Sequence, residues 1–264
     1  GGGTIARYYI AASYYKDNGV LNVAGQNNFN SNIDLRKYTI RSNINIDLTK
    51  TTEAIIRVNG AFDDYRGPID GGDALFNKVM RTSPVLFPKI YPNVGEYADN
   101  THIMFGNYDE GNYINPYADM VKGYKDYHRT SIVVQGELKQ NLDFLTKGLE
   151  VRGLISTTRY VYSDVSRYYN PYYYAMGAYD KANDTYSLTL LNPNGGTEYL
   201  NYNEGLKDIT TTNYMELAAN YNRDFGGHGV SGMLVFTRRT QQNSNAGDLQ
   251  KSLPYKNQVL TGLF

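Results

Sequence analysis

The chain has 264 residues, no cysteine, no tryptophan and equal numbers of basic and acidic side chains, 26 of each. A net charge of zero gives no support for a nucleic-acid partner, which requires a basic surface, and the missing cysteines exclude a disulfide framework or a thiolate metal site. Tyrosine, at 27 residues, is the one compositional excess, and mean hydropathy is −0.53.

That hydropathy does not argue against a membrane β-barrel, because only alternate residues of such strands face lipid. No run of about 18 apolar residues suggests a membrane helix. The opening GGGTIARYYIAASYY lacks the basic start and apolar core of a leader peptide, and NQVLTGLF at the other end reads as a strand just beginning. Both ends are therefore expected to be cuts through a longer protein.

In chain order, the first predicted strand is 5–16, with Tyr8, Ile10, Ala12 and Tyr14 on one face. An Asn- and Gly-rich loop follows over about 17–33. Strands at 35–49 and 52–65 join through the short polar turn Lys50–Thr51. In both, alternation is nearly pure. Tyr38, Ile40, Ile44, Ile46, Ile56 and Val58 fall on one side. Lys37, Arg41, Asn43, Asn45, Asp47, Arg57 and Asn59 fall on the other. A long excursion occupies 66–123, with Asp73 as a candidate N-cap of a short helix and Pro84, Pro88 and Pro92 enforcing extended backbone. Strands at 126–142 and 148–164 are joined by DFLTKG. A second long loop spans 165–208. Strands at 209–224 and 228–242 meet at FGGHG, whose glycines permit positive φ. A third loop, 243–256, precedes the last partial strand.

Strands of twelve or more residues exceed the ~5–6 usual in soluble sheets, and they alternate between short turns and long loops. That sorting is the signature of a transmembrane β-barrel, with apolar faces toward lipid and polar faces toward a wide lumen. The expected fold is all-β, an antiparallel transmembrane barrel segment of seven or eight strands.

The order of several segments resembles the barrel of SusC/RagA-type TonB-dependent outer-membrane transporters of Bacteroidetes. These segments are RYYIAASYYKDNGV, LRKYTIRSNINIDLTKTTEAIIRVNG, DALFNKVMRTSPVLFPKIYPN, LTKGLEVRGLIS, NYNRDFGGHGVSGMLVF and LPYKNQVLTGLF. The resemblance implies a plugged barrel of about 22 strands, of which this chain would hold about a third. It implies import of oligosaccharides, or of peptides in some members. It also implies a SusD-like surface lipoprotein as lid, and TonB-coupled energy delivered through an N-terminal part absent from this sequence.

Tyr172, Tyr173 and Tyr174 in RYYNPYYYAMGAY, and Tyr113 and Tyr117 in the other long loop, suit stacking on sugar rings or packing within the loops. Tyr8, Tyr14, Tyr38, Tyr160 and Tyr162 suit an interfacial aromatic girdle. Arg41, Asn43, Arg57, Asn59 and Arg152 would line a polar pathway or contact the plug. Asp63, Asp64, Asp70 and Asp73 lack calcium-loop spacing and read as solvated carboxylates. His102, His128 and His228 lack metal-ligand spacing. No nucleophile elbow or phosphate loop occurs, so neither an enzyme nor a cofactor is expected. Two other architectures stay open: a carbohydrate-binding β-sandwich, whose apolar faces would meet across a dry core, and a small self-contained outer-membrane barrel.

Overall fold

A computed structural model describes residues 1–23, 25, 27–108, 110–244 and 253–263. Eight strands form one sheet: β1 (Ala6–Asn18), β2 (Asp34–Thr49), β3 (Thr52–Gly67), β6 (Gly123–Asn141), β7 (Leu149–Tyr168), β10 (Asn201–Phe225), β11 (His228–Asn243) and β12 (Tyr255–Leu263). They lie in that order, and every neighbouring pair is antiparallel. The sheet is open, with β1 and β12 as its edges. Short turns at 50–51, 142–148 and 226–227 share one rim, the lower one, and the long connections share the other. The tightest turn uses Gly226 and Gly227 at φ 54° and 101°, a region costly for any side chain bearing Cβ.

Register confirms the two faces read from the sequence. Ile40 pairs with Gly60, Ser42 with Val58 and Ile44 with Ile56, while Arg41 pairs with Asn59 and Asn43 with Arg57. Among the described residues the apolar face carries no second layer. Ile10 is 62% exposed, Ile155 65% and Leu260 66%. A β-sandwich would have covered these side chains.

The apolar band also moves. Its upper edge is at Tyr14 on β1, level with Tyr38 on β2 and Phe62 on β3. It falls to Ile132 on β6, Ile155 on β7, Met215 on β10, Phe236 on β11 and Leu260 on β12. Phe236 traces back through Leu217, Gly153, Leu138, Ala54 and Ile46 to Ala6. The edge has thus dropped about eight residues in six to seven strand steps. With ~3.3 Å rise and ~4.8 Å strand spacing, a level band then requires strands tilted by about 40°, within the ~35–45° of closed barrels.

Two of the long connections are not bare loops. The excursion over 66–123 contains helix α1 (Gly71–Arg81), β4 (Ile90–Tyr91), a 3-10 turn at Gly95–Tyr97, β5 (Met104–Gly106) and helix α2 (Pro116–Val121). The excursion over 165–208 contains β8 (Tyr172–Asp180) and β9 (Thr185–Leu190), and its ends belong to the lengthened β7 and β10. The four short strands form a second sheet, β4-β5-β8-β9, in which β5 and β8 are parallel. This cap holds the core. Met104 and Phe105 have no exposed surface, and Tyr91, Ala118, Val121, Tyr173 and Tyr174 are buried around them.

Three sequence expectations are corrected. Asp70, not Asp73, occupies the N-cap of α1, and its side chain makes no capping bond; Asp73 sits in the first turn. Tyr160 and Tyr162 point to the polar face, opposite Ser131 and Arg129, so they take no part in an outward girdle. Tyr172, Tyr173 and Tyr174 lie on a strand rather than in an irregular loop. The expected loop 243–256 falls largely on 245–252, outside the described residues. Among the described residues no helix is long and apolar enough to cross a membrane, which says nothing about strands.

Candidate functional site

Two groups of residues carry chemistry: the polar face of the wall, and the aromatic cap above it.

On the polar face an ion-pair ribbon crosses six strands. Arg7 reaches Glu53 at 3.2 Å and Asp47 at 3.4 Å, and Asn45 donates to Glu53 at 2.9 Å. Lys139 lies 3.9 Å from Glu53 and 3.7 Å from Glu137. Glu137 is the hub: its buried carboxylate faces Arg57 at 3.4 Å and Arg152 at 3.9 Å as well. Arg152 also pairs with Glu216, whose other oxygen accepts from the Tyr214 hydroxyl at 2.6 Å. The register places these charges behind the apolar band.

Higher on the same face, Arg129 holds Asp63 through Nε at 2.9 Å, and Tyr65 stacks on Tyr127 at 4.6 Å. Lys125 pairs with Asp164 at 3.1 Å, and Asp164 accepts from the Leu206 amide at 2.8 Å. The chain passes so close there that a Cβ on Gly205 would stand 2.1 Å from Asp164 Oδ2. Asp63 and Asp64 diverge to opposite faces, Asp64 meeting His128 at 2.7 Å, so the acidic run does not converge. Among the described residues no cluster of three or more His, Asp or Glu could hold a metal.

The sequence-derived wall residues share this face but not one partner set. Arg57 and Arg152 converge on Glu137. Arg41 instead donates to Asn59 at 3.3 Å, and its guanidinium meets no carboxylate among the described residues. Asn43 sits beside Arg57 in the register. The hub Glu137, together with Glu53 and Glu216, was not singled out from the sequence. Alternation alone places it with Arg57 and Lys139 on the polar side; only register shows that Arg57, Lys139 and Arg152 surround it.

In the cap, the tyrosines divide by contact. Tyr173 is stacked flat on Tyr113 at 4.5 Å, and both pack on Phe105 and Val121. Burial pushes the Tyr173 hydroxyl well above the usual phenol range, and Tyr169 beside it is raised to about 12 for the same reason. Tyr174 and Tyr172 flank His102: Tyr174 Oη lies 2.8 Å from Nε2, and the Tyr172 ring is 4.1 Å from the imidazole. Glu198 approaches the other ring nitrogen at 3.4 Å. Tyr172 is half-buried, whereas Tyr173 and Tyr174 have little surface to offer a ligand.

Tyr117 lines an apolar cleft of about 500 Å³ with Leu75, Phe76, Val79, Phe87 and Met120. Asn115 fixes its floor. The side chain caps α2 by accepting from the Ala118 amide at 3.0 Å, and it donates to the Lys89 and Gly106 carbonyls at 2.9 and 2.8 Å. Buried Asp119 on α2 reaches α1 through Lys78, and Lys122 at the C-cap of α2 pairs with both Asp119 at 2.7 Å and Asp70, the N-cap of α1, at 3.8 Å. The 17–33 loop is pinned alongside, with Ser31 and Asn27 donating to the Met120 and Val121 carbonyls at 2.6 and 2.7 Å.

No family model and no curated protein matches the sequence. Solved structures do. A chain of the RagAB peptide importer in its "closed-closed" state aligns over 99% of this chain at TM-score 0.52 and 11% identity. A chain of the RagAB peptide transporter aligns over the same share at TM-score 0.52 and 12% identity. The fold is shared. At these identities the likeness concerns architecture alone, and this chain spans 28% of the length of either RagAB chain. The exposed apolar band, the drifting register and this likeness agree on an all-β, antiparallel barrel segment.

Proposed function

We propose that this chain is part of the barrel of a TonB-dependent outer-membrane importer of oligomeric solutes, oligosaccharides or peptides, working beneath a SusD-like surface lipoprotein. One observation carries the reading: a continuous apolar face, left bare by the protein, whose drift across the strands fits a tilted barrel in a flat bilayer. An open sheet edge in hydrocarbon leaves backbone groups unpaired, so β1 and β12 need further strands of the barrel beside them. The RagAB structures, named as peptide importers, support transport at the level of fold. The ion-pair ribbon fits a lumen wall against which a plug can rest, with Arg41, Asn43, Arg57, Asn59 and Arg152 on that side. Half-buried Tyr172 and Tyr117 are the aromatic residues best placed for a solute, since Tyr173 and Tyr174 are buried and the Tyr113 ring is covered by that of Tyr173.

The lipoprotein belongs on the cap. Helix α1 buries Leu75 yet leaves Phe76, Val79 and Met80 exposed, and Val85 and Leu86 that follow in the chain are exposed too; exposed apolar surface of this kind marks a protein interface.

This chain contributes no cysteine of its own to a labelling test. Single cysteines replace Ile40 and Leu234 on the apolar face, and Asn43 and Thr212 on the polar face, each carrying a spin label in the intact protein in bilayers. Dissolved oxygen should reach the first pair, and a water-soluble relaxation agent the second. Labels at Ile40 and Leu234 that are shielded from lipid-borne oxygen would overturn the reading.

A further inference from the structure

The apolar face does not end in neutral residues. Just above its upper edge on β1 and β2 stand Lys16 and Arg36, two positions beyond Tyr14 and Tyr38. On the other half of the sheet Arg238 lies two positions above Phe236 on β11, and Arg159 four positions above Ile155 on β7. Lys256 lies four positions above Leu260 on β12. These positions follow the same downward drift as the band, so a tilt of about 40° brings Lys16, Arg36, Arg159 and Arg238 to nearly one height, with Lys256 slightly above.

The two halves differ in how the charge is met. Arg36 is held by Asp34 at 2.8 Å, Lys16 opposite it is exposed and only attracts the same Asp34 carboxylate through space, and on β3 and β6 the outward positions are the paired Asp64 and His128. On β7, β11 and β12 the cations Arg159, Arg238 and Lys256 are exposed, and none has a carboxylate within 4.0 Å among the described residues. Between them the same face presents Thr157, Asn213, Thr211, Thr240, Gln242 and Gln258, linked by register. Cations with no carboxylate partner among the described residues, set among hydroxyls and amides directly above a lipid-covered band, fit phosphate oxygens rather than acyl chains or bulk solvent.

We infer that Arg159, Arg238 and Lys256, with the polar side chains between them, form a docking surface for a phosphate-bearing lipid headgroup of the outer leaflet. The inference rests on the barrel reading above, because only there does this rim meet a headgroup layer. Each guanidinium can grip a phosphate in bidentate fashion, whereas Lys256 supplies a point charge. The compensated Arg36 contributes little.

The test uses the intact protein in nanodiscs of phosphatidylcholine, with or without lipopolysaccharide, read by the amount of lipopolysaccharide retained through purification. Retention should weaken about fivefold for each cation removed, in R159Q, R238Q and K256Q, and the triple variant should lose selectivity over phosphatidylcholine. Arg36→Gln should change it by less than twofold, about the scale of a compensated surface charge. Excess inorganic phosphate should not displace the lipid. Retention that is unchanged in the triple variant, falls equally in Arg36→Gln, or is abolished by free phosphate would overturn the docking surface. A spin label at Leu234→Cys separates the two layers of inference. If it meets lipid but the triple variant behaves as wild type, the headgroup site fails alone; if it does not meet lipid, the barrel reading fails with it.

Discussion

The wall and the cap of this molecule are built on opposite terms. In the wall, Ile10, Ile40, Ile56, Val134, Leu217 and Leu260 are exposed, and the charges Glu53, Glu137 and Arg152 lie on the inner face. In the cap, Phe105, Met104, Tyr173 and Val121 are sealed and the polar residues mostly decorate the outside. The cap obeys the rule for a soluble domain: apolar surface leaves water by packing on itself. The wall is the inverse: hydrogen-bonded strands leave one apolar face exposed and carry charge on the other. One chain thus carries two cores, and its average hydropathy reports neither.

The contrast can be broken most forcefully in the cap. Phe105→Ala should destabilise it by about 3–5 kcal/mol. Proteolysis and hydrogen exchange should rise at 88–118 and 169–191 while β2, β3 and β6 keep their protection. Loss of protection throughout would show that wall and cap are one cooperative unit. Next comes the wall. Val134→Arg, at mid-band on the apolar face, should cost about 2–4 kcal/mol in bilayer refolding, whereas Gln135→Arg on the polar face should cost under about 1 kcal/mol. Equal costs would erase the distinction between the faces.

Asn115→Ala removes the α2 cap and two donors to loop carbonyls. It should cost about 1–3 kcal/mol, read as increased exchange around Lys89 and Gly106. Per residue, the smallest effect is set by pH. Tyr173 and Tyr169 titrate higher in the folded cap than in an unfolded chain. Their contribution is complete below pH 10 and is lost as pH rises toward and beyond 12, because the unfolded chain then releases protons that the cap retains. Cap protection should fall through that window by at most about 2 kcal/mol per tyrosine, and Tyr169→Phe should flatten its first part. A cap equally stable at pH 9 and pH 12 would contradict the burial of these hydroxyls.

Much of this was legible in the sequence because alternation is a local property. Two-residue periodicity in LRKYTIRSNINIDLT assigns Ile40 and Arg41 to opposite faces without knowledge of any neighbour. The drift of the band is also written there, as the shift of apolar residues from the upper end of β1 toward the lower end of β11, but it becomes a tilt only once pairing is known. Tyr160 and Tyr162 show where local reading failed. Their strand alternates Arg159, Tyr160, Val161 and Tyr162, with an aromatic on the inner face and a cation on the outer. Composition therefore pointed the wrong way, and the pairing with Ser131 and Arg129 decided the face.

By itself, then, the sequence determined the strands, their two faces and the alternation of short and long connections, because each depends on residues adjacent in the chain. Only the tertiary structure decided that Glu137 would gather Arg57, Lys139 and Arg152, and that two distant excursions would share one small sheet. It also brought Arg159, Arg238 and Lys256 to one rim. Those outcomes rest on register and on contacts between residues far apart in sequence, where no local pattern carries the information.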